Sequence, residues 1–161
     1  MRLLPWPLFA AALASCSSPE PSDGSAQAVE IGLPGGEDDL DFIPLEPGGT
    51  ITLQTFGQGG THALMAVRCI GLGSRMYVTV WMENLESGRQ VSVPPAAQAR
   101  PLACNDDGSC DLVPLLVMTG GLVPTGEDLD ELQVEVTAEC RNEDGEEAEG
   151  SQIGVLSTEE L

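Results

Sequence analysis

Residues 131–140 alternate strictly between polar and apolar side chains, and this pattern constrains the fold more than any other part of the chain. The apolar members are Leu132, Val134, Val136, Ala138 and Cys140, and the polar members are Glu131, Gln133, Glu135, Thr137 and Glu139. Successive side chains of a β-strand point to opposite faces of the sheet. The segment is therefore predicted to be a strand with one face in the core and one solvated, acidic face.

Short apolar runs between turn residues continue this pattern along most of the chain. The clearest runs are residues 50–56, 62–70, 76–82 and 111–118. Pro114 predicts an edge or a bulge in the last of them. Glycine (19) and proline (12) are frequent, which favours many turns, and no stretch carries a helical stripe. Residues 41–158 are therefore predicted to form an all-β domain, an antiparallel β-sandwich of seven to eight strands, with residues 159–161 as a tail.

The N-terminus carries one positive charge, Arg2, followed by a short apolar run and then small residues. The run is shorter than the roughly 20 residues that a transmembrane helix needs, so it is predicted to be a secretory signal. Its end, Leu13-Ala14-Ser15-Cys16, resembles the lipobox of bacterial lipoproteins. The resemblance implies that residues 1–15 are a signal peptide and that Cys16 is acylated, with chains such as palmitate, and attaches the protein to a membrane. Ser17 after the cysteine implies the outer membrane of a Gram-negative cell.

Residues 16–40 are rich in Ser, Pro, Gly and acidic residues, a composition typical of flexible linkers. Val29, Ile31 and Leu33 form a brief alternating apolar patch inside this segment. The segment is predicted to be a tether between the acylated Cys16 and the domain. A first edge strand at the apolar patch is the alternative.

Four further cysteines predict two disulfide bonds in an exported chain. They are Cys69, Cys104, Cys110 and Cys140, which allow three pairings. The loop between Cys104 and Cys110 can turn back on itself, so these two are predicted to close a small ring. Cys69 and Cys140 would then join distant strands. A zinc site is the competing interpretation, but the chain has no C-x-x-C spacing and export oxidises thiols.

The order Cys69, Trp81, Cys140 resembles that of immunoglobulin-like domains, in which two cysteines join the facing sheets and a tryptophan lies between them in sequence. Ala138 stands where those domains carry a tyrosine, and the apolar face of residues 76–82 would turn Trp81 outward. The resemblance therefore implies an immunoglobulin-like sandwich architecture without membership of the antibody family.

The charge balance and the residue types exclude whole classes of function. The chain has 26 acidic and 6 basic residues, all of the latter Arg, for a formal net charge of −20. Such a surface repels phosphate backbones, so nucleic-acid binding is excluded. With a single histidine, no lysine and cysteines predicted to be oxidised, most hydrolase triads cannot be assembled. The protein is therefore predicted not to be an enzyme.

Two groups of residues are candidate ligand sites. The first is the glycine-rich loop with Gln58 and His62, whose backbone amides and imidazole could hold a ligand; a plain turn between strands is the alternative. The second is a set of acidic turn residues, because calcium prefers carboxylate and carbonyl oxygens. Its members are Asp106, Asp107 and Asp144, with Asn105, Asp128 and Asp130 as further oxygen ligands. A solvated acidic rim is the alternative there, and no cofactor other than a possible Ca²⁺ is expected.

These features together predict a non-enzymatic, lipid-anchored lipoprotein of the cell envelope. Its β-sandwich would serve in adhesion, scaffolding or the binding of a protein or glycan partner through sheet edges and loops. The alternative is a calcium-dependent binding or enzymatic domain that uses the acidic loops.

Overall fold

The computed structural model describes residues 27–55, 60–93, 98–119 and 129–158. Within these ranges the chain forms ten β-strands and no α-helix, which confirms the all-β class. The strands are β1 Ala28–Gly35, β2 Asp41–Pro44, β3 Gly49–Thr55, β4 Thr61–Ile70, β5 Arg75–Asn84, β6 Gln98–Pro101, β7 Ala103–Cys104, β8 Ser109–Thr119, β9 Gln133–Asn142 and β10 Glu147–Thr158. The number exceeds the expected seven to eight because β2, β6 and β7 have only 4, 4 and 2 residues and leave no periodic pattern.

The strands belong to one hydrogen-bonded sheet that contains a parallel pair. The order along the main path is β2-β1-β4-β3-β10-β9-β5-β6, and β8 pairs with β4 and carries β7 on its other side. β3 and β10 run parallel, with Gly49 opposite Gly154 and Leu53 opposite Thr158. The prediction of a purely antiparallel sheet was therefore wrong. A parallel pair joins strands that are far apart in the chain, so no local pattern records it.

The sheet folds over, so that β4 and β9 face each other across the core. These strands are three steps apart in the sheet order, which would separate them by about 14 Å in a flat sheet. The Cα atoms of Cys69 in β4 and Cys140 in β9 are nevertheless 6.5 Å apart, and a disulfide bond joins them. A second disulfide joins Cys104 and Cys110, between β7 and β8. Both predicted pairs are confirmed, and the first of them connects the two halves of the sheet.

The alternation seen in the sequence decides which side chains form the core. In β9 the even-numbered residues from Val134 to Cys140 are fully buried, whereas Glu135 and Glu139 are partly exposed. In β5 the even-numbered side chains are buried and Trp81 is half-buried on the opposite face, which confirms that it turns outward. The aliphatic core supplies the main stabilisation, at about 25 cal/mol for each Å² of apolar surface removed from water.

Strand β1 lies within residues 16–40, where the sequence indicated a linker. It is paired with β2 and with β4, so it is an interior strand and not an edge. Ile31 is 5% exposed in the core, and Val29 and Leu33 pack against the same cluster. These three apolar side chains explain why the segment joins the sheet. The first strand of the sheet therefore begins at Ala28.

Strand β8 contains a bulge at the point where Pro114 interrupts its apolar run, as the sequence predicted. The pairing of β4 with β8 changes register between Met65 and Val67, so that β8 has one extra residue there. Register decides which side chains meet across two strands. Beyond the bulge, Asp111 lies directly opposite Arg68.

Candidate functional site

Arg68 and Asp111 form a charged pair on the outer face of β4 and β8. Val67 and Cys69 are fully buried, so Arg68 between them points to the opposite face of the sheet. Arg68 donates from Nε to Asp111 Oδ1 at 2.7 Å and from Nη2 to Oδ2 at 2.9 Å. The two side chains are 26% and 14% exposed. A bidentate pair of this kind has a fixed geometry and is stronger than a hydrogen bond between neutral groups.

The turn between β7 and β8 holds Asp111 in position. Asn105 donates from Nδ2 to Asp111 Oδ2 and to Ser109 Oγ, both at 3.0 Å. Asp107 Oδ1 accepts hydrogen bonds from the backbone N–H of Ser109 at 2.9 Å and from its hydroxyl at 2.7 Å. The Cys104–Cys110 disulfide closes the base of the turn. The turn is therefore held both covalently and by hydrogen bonds.

Phe42 of β2 covers one face of the Arg68 guanidinium, with 4.3 Å between the guanidinium carbon and the ring centroid. This is a cation–π contact. Gly32 of β1 leaves the space for the ring, because a Cβ at that position would lie 2.6 Å from Phe42 Cε2. The ring, the ion pair and the turn border a groove of about 510 Å³, here named the Arg68 groove. Its other walls are Leu40, Asp41, Ala103 and Val113. The volume lies in the range of roughly 300–1,000 Å³ that is usual for small-ligand sites.

Hydrogen bonds shift the pKa values of three charged groups in and beside the groove. Burial raises the pKa of Asp111, but the hydrogen bonds from Arg68 and Asn105 outweigh it and bring the pKa below its ordinary value. Hydrogen bonds from Ser109 lower the pKa of Asp107, and the hydrogen bond to Asp111 raises the pKa of Arg68. The hydrogen bonds of these three groups therefore favour their charged forms.

The acidic residues predicted to bind calcium lie in two different turns. Asp106 and Asp107 belong to the turn between β7 and β8, and Asp144 belongs to the turn between β9 and β10. The carboxylate of Asp107 is bonded to Ser109, and Asp144 donates its backbone N–H to Asn142 Oδ1 at 3.1 Å. In the part of the chain that the structure describes, no group of three or more His, Cys, Asp or Glu residues is arranged to hold a metal ion.

His62, the histidine of the predicted ligand loop, is buried and does not reach the surface. His62 is 2% exposed at the start of β4, with Gln54 and Met118 opposite it on the neighbouring strands. Burial lowers the pKa of its imidazole.

Among the other candidate ligands, Asp130 accepts a hydrogen bond from the backbone N–H of Thr158 at 2.8 Å. Three further candidates lie outside the described residues: Cys16, Gln58 and Asp128.

The free energy of unfolding is expected to fall in two steps as the pH is lowered from neutral. The first step lies below pH 6.5, the ordinary pKa of histidine, because the unfolded chain takes up a proton on His62 that the folded protein resists. The second lies below pH 3.8, the ordinary pKa of aspartate, because Asp111 and Asp107 keep their charge to lower pH when folded. That stability is lost as the pH falls through their lowered pKa values.

Urea denaturation at a series of pH values measures both steps. The His62→Gln variant should lack the first step and keep the second, whereas Asp111→Asn should keep the first and reduce the second. An unmodified protein whose stability is constant between about pH 7 and about pH 5 would contradict the role of His62.

Sequence reasoning did not select Arg68, Phe42 or Asp111 for this site. One signal was present, because Arg68 is the only charged residue in the apolar run 62–70. A charge in a half-buried strand requires a partner. Asp111 is 43 positions away, and the register that brings it opposite Arg68 depends on the bulge in β8.

Comparison with known proteins adds no relative to these observations, since no protein-family model matches the sequence and no curated protein matches it significantly. The described residues contain no helix that is long and apolar enough to cross a membrane. Function is therefore inferred from the groove and from the sequence.

Proposed function

We propose that this protein is a lipid-anchored lipoprotein of the bacterial envelope whose domain is a non-enzymatic binding module. The observation that carries the binding role is the Arg68 groove, where Arg68, Asp111 and Asn105 are bonded to one another. Polar groups that are already paired keep their arrangement without a ligand, so little conformational entropy is lost on binding. The lowered pKa values of Asp111 and Asp107 support binding over acid–base catalysis.

An immunoglobulin-like arrangement of the domain is part of this proposal, and the strand order supports it. Immunoglobulin domains have the sheets ABED and CFG, with a disulfide between strands B and F. The orders β1-β4-β8-β7 and β5-β9-β10 correspond to these sheets. Cys69 and Cys140 then lie on the strands that correspond to B and F. Strands β2, β3 and β6 stand outside the correspondence.

The anchor rests on the resemblance of Leu13-Ala14-Ser15-Cys16 to a lipobox. Each buried CH₂ group of an acyl chain contributes about 0.8 kcal/mol to membrane attachment. Two or more chains on Cys16 would hold the protein stably in a bilayer, whereas a single chain gives only reversible binding.

Metabolic labelling with an alkynyl palmitate in a Gram-negative host tests the anchor. We expect the unmodified protein to be labelled and to begin at Cys16, and globomycin, which blocks the lipoprotein signal peptidase, to preserve residues 1–15. The Cys16→Ser variant should lose the label. The matched Ser17→Asp variant should keep the label and move to the inner membrane. Label on Cys16→Ser, or processing that globomycin does not affect, would overturn the proposal.

A further inference from the structure

The hydrogen bonds inside the Arg68 groove leave one donor group and one acceptor group for a ligand. Arg68 uses Nε and Nη2 for Asp111, and Asn105 uses Nδ2 for Asp111 and Ser109. Among the described residues, nothing else bonds to the Arg68 Nη1 amino group or to the Asn105 Oδ1 carbonyl oxygen. Arg68 Nη2 and Asn105 Nδ2 bond the same oxygen, Asp111 Oδ2, and both side chains line the groove. A groove that offers both a donor and an acceptor matches hydroxyl groups, because each hydroxyl both donates and accepts.

The charges around the groove select against anions, and its hydrogen-bond donor is not suited to ammonium groups. The guanidinium of Arg68 is compensated by Asp111, and Glu30 and Asp107 also act on it. Asp41 forms part of the wall, and the whole chain carries a net charge of −20. A phosphate, sulfate or uronate would therefore meet an excess of carboxylates. An ammonium group would meet the Nη1 donor, which has no lone pair to offer it.

The remaining walls of the groove are apolar. Leu40 is 62% exposed at its rim, and Phe42, Ala103 and Val113 line it further. Covering such surface is favourable by about 25 cal/mol for each Å². A ligand that fits must therefore carry C–H surface between its hydroxyl groups.

We propose that the Arg68 groove binds a neutral oligosaccharide. A pyranose ring without charged substituents combines apolar C–H faces with an edge of hydroxyl groups, which is the combination of surfaces that the groove presents. The inference rests on the binding function proposed above and names its ligand class. Arg68 Nη1 and Asn105 Oδ1 would bond the hydroxyl groups, and Leu40 would cover a ring face.

NMR titration of the isotope-labelled, acylated full chain in a phosphocholine detergent tests the ligand class. The probes are chitotriose, cellotriose and maltotriose, with an anionic heparin tetrasaccharide for comparison. We expect at least one neutral trisaccharide to bind with a Kd of about 1 mM or lower and to shift the amide signals of Asn105, Ser109 and Asp111. Failure of all three at about 10 mM, or stronger binding of the anionic probe, overturns the inference.

Two exposed leucines, one in the groove and one outside it, provide a pair of variants. Leu40→Ala removes the wall of the groove and should weaken binding severalfold, whereas Leu85→Ala, at a 43% exposed position in the turn after β5, should leave it unchanged. Arg68→Lys keeps the charge but loses the fork of donors, and should weaken binding by about tenfold. Equal binding by Leu40→Ala and the unmodified protein overturns the inference.

The two proposals fail separately. A protein that carries the palmitate label but binds no neutral trisaccharide overturns the ligand class alone. A protein that binds the sugar without carrying the label overturns the anchor alone.

Discussion

Replacing Val136 with Asp is expected to remove a large part of the stability of the domain. Val136 is fully buried in β9, with Met82 of β5 and Gln152 of β10 opposite it. The variant places a carboxyl group in an aliphatic core, where desolvation penalises both its charged and its neutral form. We expect a loss of more than about 4 kcal/mol from a total that is about 5–15 kcal/mol for most proteins. Far-UV circular dichroism and urea denaturation of the purified protein measure the loss.

Glu135→Gln is the matched control, because Glu135 occupies the opposite face of the same strand. Its Oε1 accepts a hydrogen bond from Ser151 Oγ at 2.9 Å, which the amide oxygen of Gln can also accept. Glu135 lies opposite Glu83, and removal of one charge relieves their repulsion. The unfolding free energy should change by less than about 0.5 kcal/mol. Equal losses in the two variants would show that the faces of β9 are wrongly assigned.

The Cys69→Ala/Cys140→Ala double variant is expected to lose about 4 kcal/mol of unfolding free energy. The bond closes a loop with a sequence separation of 71, so its removal greatly increases the conformational entropy of the unfolded chain. Both cysteines are also fully buried, and the smaller alanines leave a cavity. Thermal and urea denaturation under oxidising conditions measure the change.

The second disulfide provides the comparison. Cys104 and Cys110 have a sequence separation of only 6, for which loop-closure entropy predicts a loss of about 2 kcal/mol in the Cys104→Ala/Cys110→Ala variant. The decisive result is which of the two double variants loses more unfolding free energy. A larger loss of unfolding free energy in the Cys104→Ala/Cys110→Ala variant would contradict the view that the Cys69–Cys140 bond between β4 and β9 holds the two halves of the sheet together.

Local side-chain patterns sufficed to predict the faces of β5 and β9 and the bulge at Pro114. Each depends on neighbouring residues alone: alternation decides the face, and a proline cannot donate to the ladder. Both disulfide pairs were also predictable, because a loop of five residues between two cysteines closes readily and leaves one other pair.

Pairing between segments that are far apart in the chain could not be predicted from local side-chain patterns. Residues 28–35 carry Val29, Ile31 and Leu33 among alanine, glycine and proline residues and one glutamate, and only their contacts with β2 and β4 make them a strand. The parallel β3–β10 pair and the Arg68–Asp111 pair are non-local in the same way. The candidate site was therefore visible in the sequence only as a lone arginine in an apolar run.

Because β1 begins at Ala28, only a short segment separates the domain from Cys16, where the proposed lipid anchor would be attached. Ala28 comes only 12 positions after Cys16, a length of chain that spans at most about 40 Å when fully stretched. Glu30, two residues into β1, lies opposite Arg68, so the Arg68 groove lies close to the point where the N-terminal segment joins the sheet. With the proposed anchor at Cys16, the Arg68 groove would lie close to the bilayer surface, and a bound ligand would be held at that short distance from the membrane.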